Sequence, residues 1–252
     1  SYALLLKNAG QIKKAKEIYI YSGKKFMDLE SFEKAITLES DPLEKTTIIN
    51  TAMGVFEKDP QKKNKMLLSM ISTLIRTGKK DLADEKLKTV EVENLSSADC
   101  IEFAQMTLKA AGNIRIKDSF DTVITLYSSN YDLLKKLQNM LDESGRNGIS
   151  AELFLKLWTK NPGNPDIEYL YARNLAPLES AIGYYKDAIK KKPQFFDALF
   201  DMGVCFMAHR RYDEAATTFN ECLRINPSDG AAKKNLFLSQ FLPSKNKIIL
   251  ED

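Results

Sequence analysis

The sequence has little of what most catalysis requires. It holds one histidine, His209, and three cysteines, Cys100, Cys205 and Cys222, in 252 residues. A lone histidine has no second imidazole with which to build a metal site, and the separated cysteines make neither a C-x-x-C pair nor an even disulfide framework. A reducing compartment, the cytoplasm, is therefore expected. No G-x-x-x-x-G-K-[ST] stretch and no G-x-G-x-x-G stretch occurs, which removes the common nucleotide-binding fingerprints. Neither a cofactor nor a metal is expected, and the chain does not read as an enzyme. No apolar run approaches the roughly 20 residues of a membrane span, so no membrane partner is expected. An excess of one charge is also lacking: 37 basic residues face 34 acidic ones, a net charge of +3, too balanced for a dedicated nucleic-acid binder. The first residue is Ser1 rather than Met, and no signal-like segment follows it. The chain thus reads as a piece of something longer, from which targeting information could have been cut.

What is present is periodicity. The composition, 44% hydrophobic and 28% charged, is that of a soluble folded protein. In the C-terminal half Leu199, Met202, Gly203 and Phe206 fall at i, i+3, i+4 and i+7, one face of a helix. Ala215, Phe219 and Cys222 repeat the device one segment later, and Pro227 closes it. Gly203 and Ala215 are small where two helices would cross, while Phe206 and Phe219 fill the space beside them. Upstream, Ala172, Leu175, Ala181, Tyr185, Ala188 and Pro193 keep the order with a first helix and turn about three residues short. Leu134, Leu137, Leu141, Gly145, Phe154, Leu157 and Pro162 keep it again, so that Pro162, Pro193 and Pro227 stand 31 and 34 residues apart.

This pattern resembles the tetratricopeptide repeat: large-x2-Leu-small-x2-aromatic, then Ala-x3-Phe, then Pro, over about 34 residues. The resemblance implies an all-α fold, a right-handed superhelical array of helical hairpins, each covering its neighbour's apolar face. Weaker copies run to the N-terminus: Leu67, Met70, Ile71 and Leu74 with Ala83 and Leu87 around Gly78, and an apolar helix with Ala15 and Tyr19 around Gly10. Residues 25–39 with 42–58 read as a divergent pair, and 97–111 with 118–128 as another with a longer turn. The expected organisation is divergent hairpins over 1–128 and three clearer repeats over 129–227, about seven hairpins together. A capping helix follows over 228–242, from about Asp229 to Phe241, with Ala232, Leu236 and Phe237 covering the last repeat. Residues 243–252 are read as a tail, a linker or a strand.

The same resemblance locates function on the concave face, lined by the first helix of each hairpin. Residues there that packing does not need are Asp132, Lys135, Lys136 and Asn139, then Asp166, Tyr169 and Arg173, then Asp197, Phe200, Asp201 and Val204, of which Phe200 and Val204 are either covered by superhelical neighbours or open to a ligand. They suggest a peptide groove with Tyr169 and Phe200 as aromatic anchors among charges, and hence an adaptor or scaffold binding a protein or peptide partner, as part of a signalling or assembly protein. Family members that hold an acidic C-terminal tail use cations in the third repeat; Asp197 and Asp201 occupy those places here and would repel it. A basic or mixed ligand is expected instead, with Asp197 and Asp201 replaceable by cations without loss of folding. The alternative is RNA binding, for which Lys62, Lys63, Lys65, Lys79, Lys80 and the run 190–192 are the support. His209 is assigned to a turn, and Cys205 and Cys222 to packing, where a thiol is inert.

Overall fold

The computed structural model describes residues 2–248. Among them are fifteen α-helices, one short 3-10 turn and no strand. The helices form seven hairpins and a final helix: α1 (Tyr2–Asn8) with α2 (Ile12–Phe26), α3 (Leu29–Leu38) with α4 (Pro42–Val55), α5 (Pro60–Arg76) with α6 (Lys80–Leu87), α7 (Ser97–Ala110) with α8 (Asn113–Leu126), α9 (Tyr131–Glu143) with α10 (Asn147–Lys160), α11 (Pro165–Leu175) with α12 (Glu179–Lys191), α13 (Phe196–Ala208) with α14 (Tyr212–Ile225), and α15 (Gly230–Ile248). They divide into an N-terminal unit, Ser1–Tyr127, and a C-terminal unit, Ser128–Asp252.

The repeat pattern is the core pattern. Leu199, Met202, Gly203 and Phe206 of α13 and Ala215, Phe219 and Cys222 of α14 are all buried. A Cβ added at Gly203 would stand 2.8 Å from two ring carbons of Phe219, so the glycine is what lets the two helices meet. Gly23 plays the same part in the N-terminal unit, where an added Cβ would stand 2.7 Å from the Phe32 ring.

Starts and stops follow local chemistry. Asp41, Asp59 and Asn164 each precede a proline, at Pro42, Pro60 and Pro165, and their side chains accept from backbone N–H groups of the first turn. Such prolines cost nothing there, because their missing N–H would have had no helical partner. Between paired helices Gly10, Gly78 and Gly145 take positive φ of 75, 77 and 74°. In the last repeat the same position is held by Arg210 at φ 58°, a conformation a side chain strains.

Several sequence expectations need correction. α2 runs through Phe26, so α3 begins at Leu29 behind its Asp28 cap rather than at residue 25. α8 begins at Asn113, directly after Gly112, placing Ile116, Phe120, Val123 and Ile124 in the core; no longer turn follows α7. The irregular connection is instead residues 88–96. Buried Asn64 pins it by donating to the Glu91 carbonyl at 2.7 Å and accepting from its N–H at 3.3 Å. α15 continues to Ile248, so residues 243–248 are helical rather than a linker or strand; 249–252 lie outside the described residues. On α15 Ala232 and Ser239 are buried, whereas Phe237 is 62% exposed. Positions 232, 236 and 239 share one face, and residue 237 lies about 100° round the helix from 236. Phe237 stacks on Phe241 at 5.6 Å instead of covering the repeat. Among the described residues no helix is long and apolar enough to cross a membrane.

Candidate functional site

In the C-terminal unit the first helices of the hairpins, α9, α11 and α13, carry the candidate residues. α9 and α13 leave part of the side opposite their apolar stripe open, whereas every residue of α11 is buried or half-buried. On α13 the stripe of Leu199, Met202 and Phe206 leaves Phe196, Phe200 and Val204, at i, i+4 and i+8, on the other side. Phe196 and Phe200 are half-buried and Val204 is 42% exposed. The two rings stack at 6.1 Å, and Phe200 also meets the Phe219 ring edge-on at 5.7 Å, which anchors the apolar strip to the core.

Beside this strip lies a hydrogen-bonded charge network. Asp197 accepts from the Tyr131 hydroxyl at 2.7 Å and from the Lys135 ammonium, two groups one turn apart on α9. Burial works to raise the Asp197 carboxyl, but Lys135 and Tyr131, with Arg173 behind them, outweigh it and hold it below its ordinary value. One turn on, Asp201 accepts from the Tyr169 hydroxyl at 2.9 Å and lies 3.8 Å from Arg173 Nε. Burial wins there and pushes that carboxyl up. The Arg173 guanidinium also donates to Gln138 Oε1 at 2.7 Å and Asn139 Oδ1 at 2.8 Å, while buried Gln138 donates to the Leu170 carbonyl at 2.7 Å. The network thus ties α9, α11 and α13 together through side chains.

Lys135, Arg173, Asp197, Phe200 and Asp201 line one concave cavity of about 300 Å³, and the tip of Tyr169 reaches its floor. Asn139 supports it through Arg173. Asp166 stands apart, paired with Lys192 at 2.7 Å, and Val204 extends the apolar strip beyond the cavity. The sequence missed Tyr131, Gln138 and Phe196, and it missed the far wall, Asp229 and Ala231. Tyr131 and Phe196 were findable: each lies one turn before a residue already assigned to the groove. Asp229 reads as a cap, and it is one, its Oδ1 accepting from the Ala232 N–H at 2.7 Å; that it also faces α13 is tertiary information.

Two expectations fail here. Tyr169 is only 2% exposed, packed among Tyr131, Tyr185 and Phe195, and serves the network through its hydroxyl rather than offering an aromatic face. Asp197 and Asp201 are not free charges, so cations in their place would break both carboxylate contacts and meet Lys135 and Arg173; loss of stability follows. The reactive residue types are spent on structure. His209 ends α13, its Nε2 2.6 Å from the Pro177 carbonyl oxygen. Cys205 and Cys222 are buried, their thiols pushed up by burial to about 11 and about 12. Of the lysines that could have served RNA, Lys62 pairs with Asp59, Lys65 with Asp99 and Glu102, Lys191 with Glu168 and Lys192 with Asp166.

Residues 178–236 match the family model of the tetratricopeptide repeat. No curated protein sequence matches the chain. Among solved structures the chain is similar to YrrB, described as a TPR protein with an unusual peptide-binding site, at 13% identity and TM-score 0.43, over 72% of this chain and 95% of that one. It is similar to the C-terminal part of a TPR repeat-containing protein from Cytophaga hutchinsonii at 14% identity and TM-score 0.45, over 93% and 98%. It is similar also to MamA from Desulfovibrio magneticus RS-1 at 15% identity and TM-score 0.41, over 68% and 98%.

Proposed function

We propose, from the match of residues 178–236 to the tetratricopeptide-repeat model, that the C-terminal unit is the binding part of an adaptor or scaffold, taking an extended segment of a protein partner in the groove of α9, α11 and α13. The observation that carries the reading is the apolar strip Phe196, Phe200 and Val204, which the core stripe of α13 leaves half-buried or exposed and whose two rings border an open cavity of about 300 Å³. Apolar surface kept beside satisfied charges is the makeup of a recognition site, with aromatic anchors at its centre.

The ligand we favour is basic or mixed. The cavity is lined by three carboxylates, Asp197, Asp201 and Asp229, against two cations, Lys135 and Arg173. Both cations are already engaged, by Asp197 in one case and by Asp201, Gln138 and Asn139 in the other. An acidic tail would have to break those bonds before making its own. A Lys or Arg could instead approach Asp229 while an apolar neighbour covers Phe200. Three free, buried cysteines accord with a reducing compartment such as the cytoplasm.

Selection of peptides from a random display library against the folded chain tests this. Enriched sequences should combine a basic residue with an apolar or aromatic one, lose binding to Phe200→Ala and keep most of it with Phe200→Leu. Enrichment of acidic peptides, or binding indifferent to Phe200→Ala, would count against the groove.

A further inference from the structure

Charge is spread unevenly along the chain. The first hairpin, α1 with α2, holds six lysines, no arginine and one carboxylate, Glu17, a net +5 against +3 for the whole chain, so the rest of the chain is net −2. Asp28, which follows the hairpin, is spent capping α3. Lys16 pairs with Glu39, but Lys7, Lys13, Lys14 and Lys24 are exposed and have no ion-pair partner among the described residues. On α2 the buried residues Ala15, Tyr19 and Gly23 recur at every fourth place, which turns Lys13, Lys14, Tyr21, Lys24 and Lys25 to the opposite side. Apolar surface gathers on the same hairpin. Tyr2, Leu5, Tyr21, Phe26 and Met27 are each more than half exposed, whereas most side chains as exposed elsewhere, such as Leu43, Ile114 and Leu178, stand singly along the chain. One exposed apolar residue is ordinary, but a group of them marks an interaction surface. The two helices run antiparallel, so the start of α1, with Tyr2 and Leu5 one turn apart, lies toward the end of α2, where Lys25 stands 5.4 Å from the centres of both the Tyr21 and Phe26 rings.

We propose that this hairpin docks on the surface of an anionic lipid bilayer, its lysines against the headgroups and Tyr2, Leu5, Tyr21 and Phe26 in the interfacial layer. The contact is peripheral: that no described helix is long and apolar enough to cross a membrane bears on spanning alone. Basic charge together with exposed apolar side chains is what selects this partner. Nucleic acid would use the lysines but leave Leu5 and Phe26 in water, and the hairpin lacks arginine, the residue that meets phosphate and guanine with two parallel hydrogen bonds. A second copy of the chain is opposed by charge. The other exposed aromatic pair, Phe237 and Phe241, lies on α15 with Lys233 and Lys234, so joining the two surfaces would set cations against cations. The inference concerns the N-terminal unit and stands independently of the groove in the C-terminal one.

The test is cosedimentation of the whole chain, at physiological ionic strength, with vesicles of phosphatidylcholine alone and of phosphatidylcholine mixed with phosphatidylserine. The chain should bind the anionic vesicles and not the neutral ones, and binding should fall as salt is raised. Lys24→Gln with Lys25→Gln should weaken it by about tenfold or more, the scale set by two lysines at an anionic surface. Leu5→Ser with Phe26→Ser should also weaken it, which attraction by charge alone does not explain. All four positions are exposed, so thermal unfolding should be unchanged in both variants; if one of them fails to fold, the other still decides. Lys79→Gln with Lys80→Gln, an exposed pair at the start of α6, should leave binding unchanged. Overturning results are no binding to the anionic vesicles, equal binding to both kinds, binding indifferent to the hairpin variants, an equal loss in the α6 variant, displacement from the vesicles by an oligouridylate at equal phosphate, or self-association of the chain that the Leu5 and Phe26 variant abolishes.

Discussion

Gly203→Ala should destabilise the C-terminal unit although alanine is the better helix former. Two effects oppose each other at this position. Replacing glycine within a helix gains about 1 kcal/mol of propensity. Against this, the new Cβ would stand 2.8 Å from Cε1 and Cζ of Phe219, when carbon atoms prefer about 3.5–4.0 Å, so the ring would have to move by roughly 0.7–1.2 Å. Phe219 is fully buried and meets Phe200 edge-on, so it has little room to yield. Overpacking of this kind costs about 1–3 kcal/mol, which leaves a net loss between about 0 and 2 kcal/mol once propensity is subtracted. Gly183 of α12 provides the control, since no atom lies within 4 Å of an added Cβ there and only the propensity gain applies. The two variants should therefore differ by about 1–3 kcal/mol, the overpacking term alone. Urea unfolding followed by the fluorescence of Trp158 reads this, because it is the only tryptophan and it stacks on Tyr171 within the same unit, at 4.8 Å. The double variant Gly203→Ala, Phe219→Leu should recover part of the loss through coupling of neighbours. Equal stabilisation by Gly203→Ala and Gly183→Ala would refute the reasoning.

Other outcomes follow from the same geometry. Arg210→Gly should raise stability by about 0.5–1 kcal/mol in a melting experiment, because Arg210 holds a left-handed turn that glycine fills at Gly10, Gly78 and Gly145; an unchanged or lower melting temperature would argue against strain there. The two groove carboxylates should respond to acid with opposite signs. The folded chain holds Asp197 below its ordinary value, so the stabilisation it brings is present above the unfolded pKa and is lost as pH falls through the lower folded one. Asp201 is raised, so protonating it through its higher folded value adds stability. Asp197→Asn should accordingly cost about 1–3 kcal/mol at neutral pH and flatten the acid limb, while Asp201→Asn should leave neutral-pH stability unchanged or higher; urea midpoints from neutral to acid pH that move together in both variants would contradict this. Thiol reagents at neutral pH should leave Cys100, Cys205 and Cys222 unmodified until denaturant is added, since all three are buried and burial pushes their thiols up; rapid labelling of the folded chain would show one of them accessible.

Much of this architecture was legible in the sequence because one physical requirement produced it twice. A hairpin must hide an apolar face, and the spacing of Leu199, Met202, Gly203 and Phe206 with Ala215, Phe219 and Cys222 states both the face and the crossing point. Where the face is long, as in Leu67, Met70, Ile71 and Leu74, helix and partner could be read directly. Where the signal is a cap or a phase, reading is less secure: Gly112 caps α8 with no side-chain hydrogen bond, so nothing local marks the start at Asn113, and Phe237 is apolar although its phase turns it outward. For the groove, the side of each helix could be read, but what the side chains do to one another could not. Asp197 looked like a free charge because Lys135 and Tyr131 lie more than sixty positions away. Tyr169 looked like an anchor because nothing local shows that Tyr131 and Phe195 cover it.

We propose the concave face of α9, α11 and α13, rather than the outer helices, as the recognition surface. Titrating an isotopically labelled chain with one peptide from the display selection and mapping the changes in its NMR spectrum distinguishes the two. Shifts should concentrate at Phe196, Phe200, Val204 and the side chain of Arg173. Shifts confined to α10, α12 and α14 would contradict it.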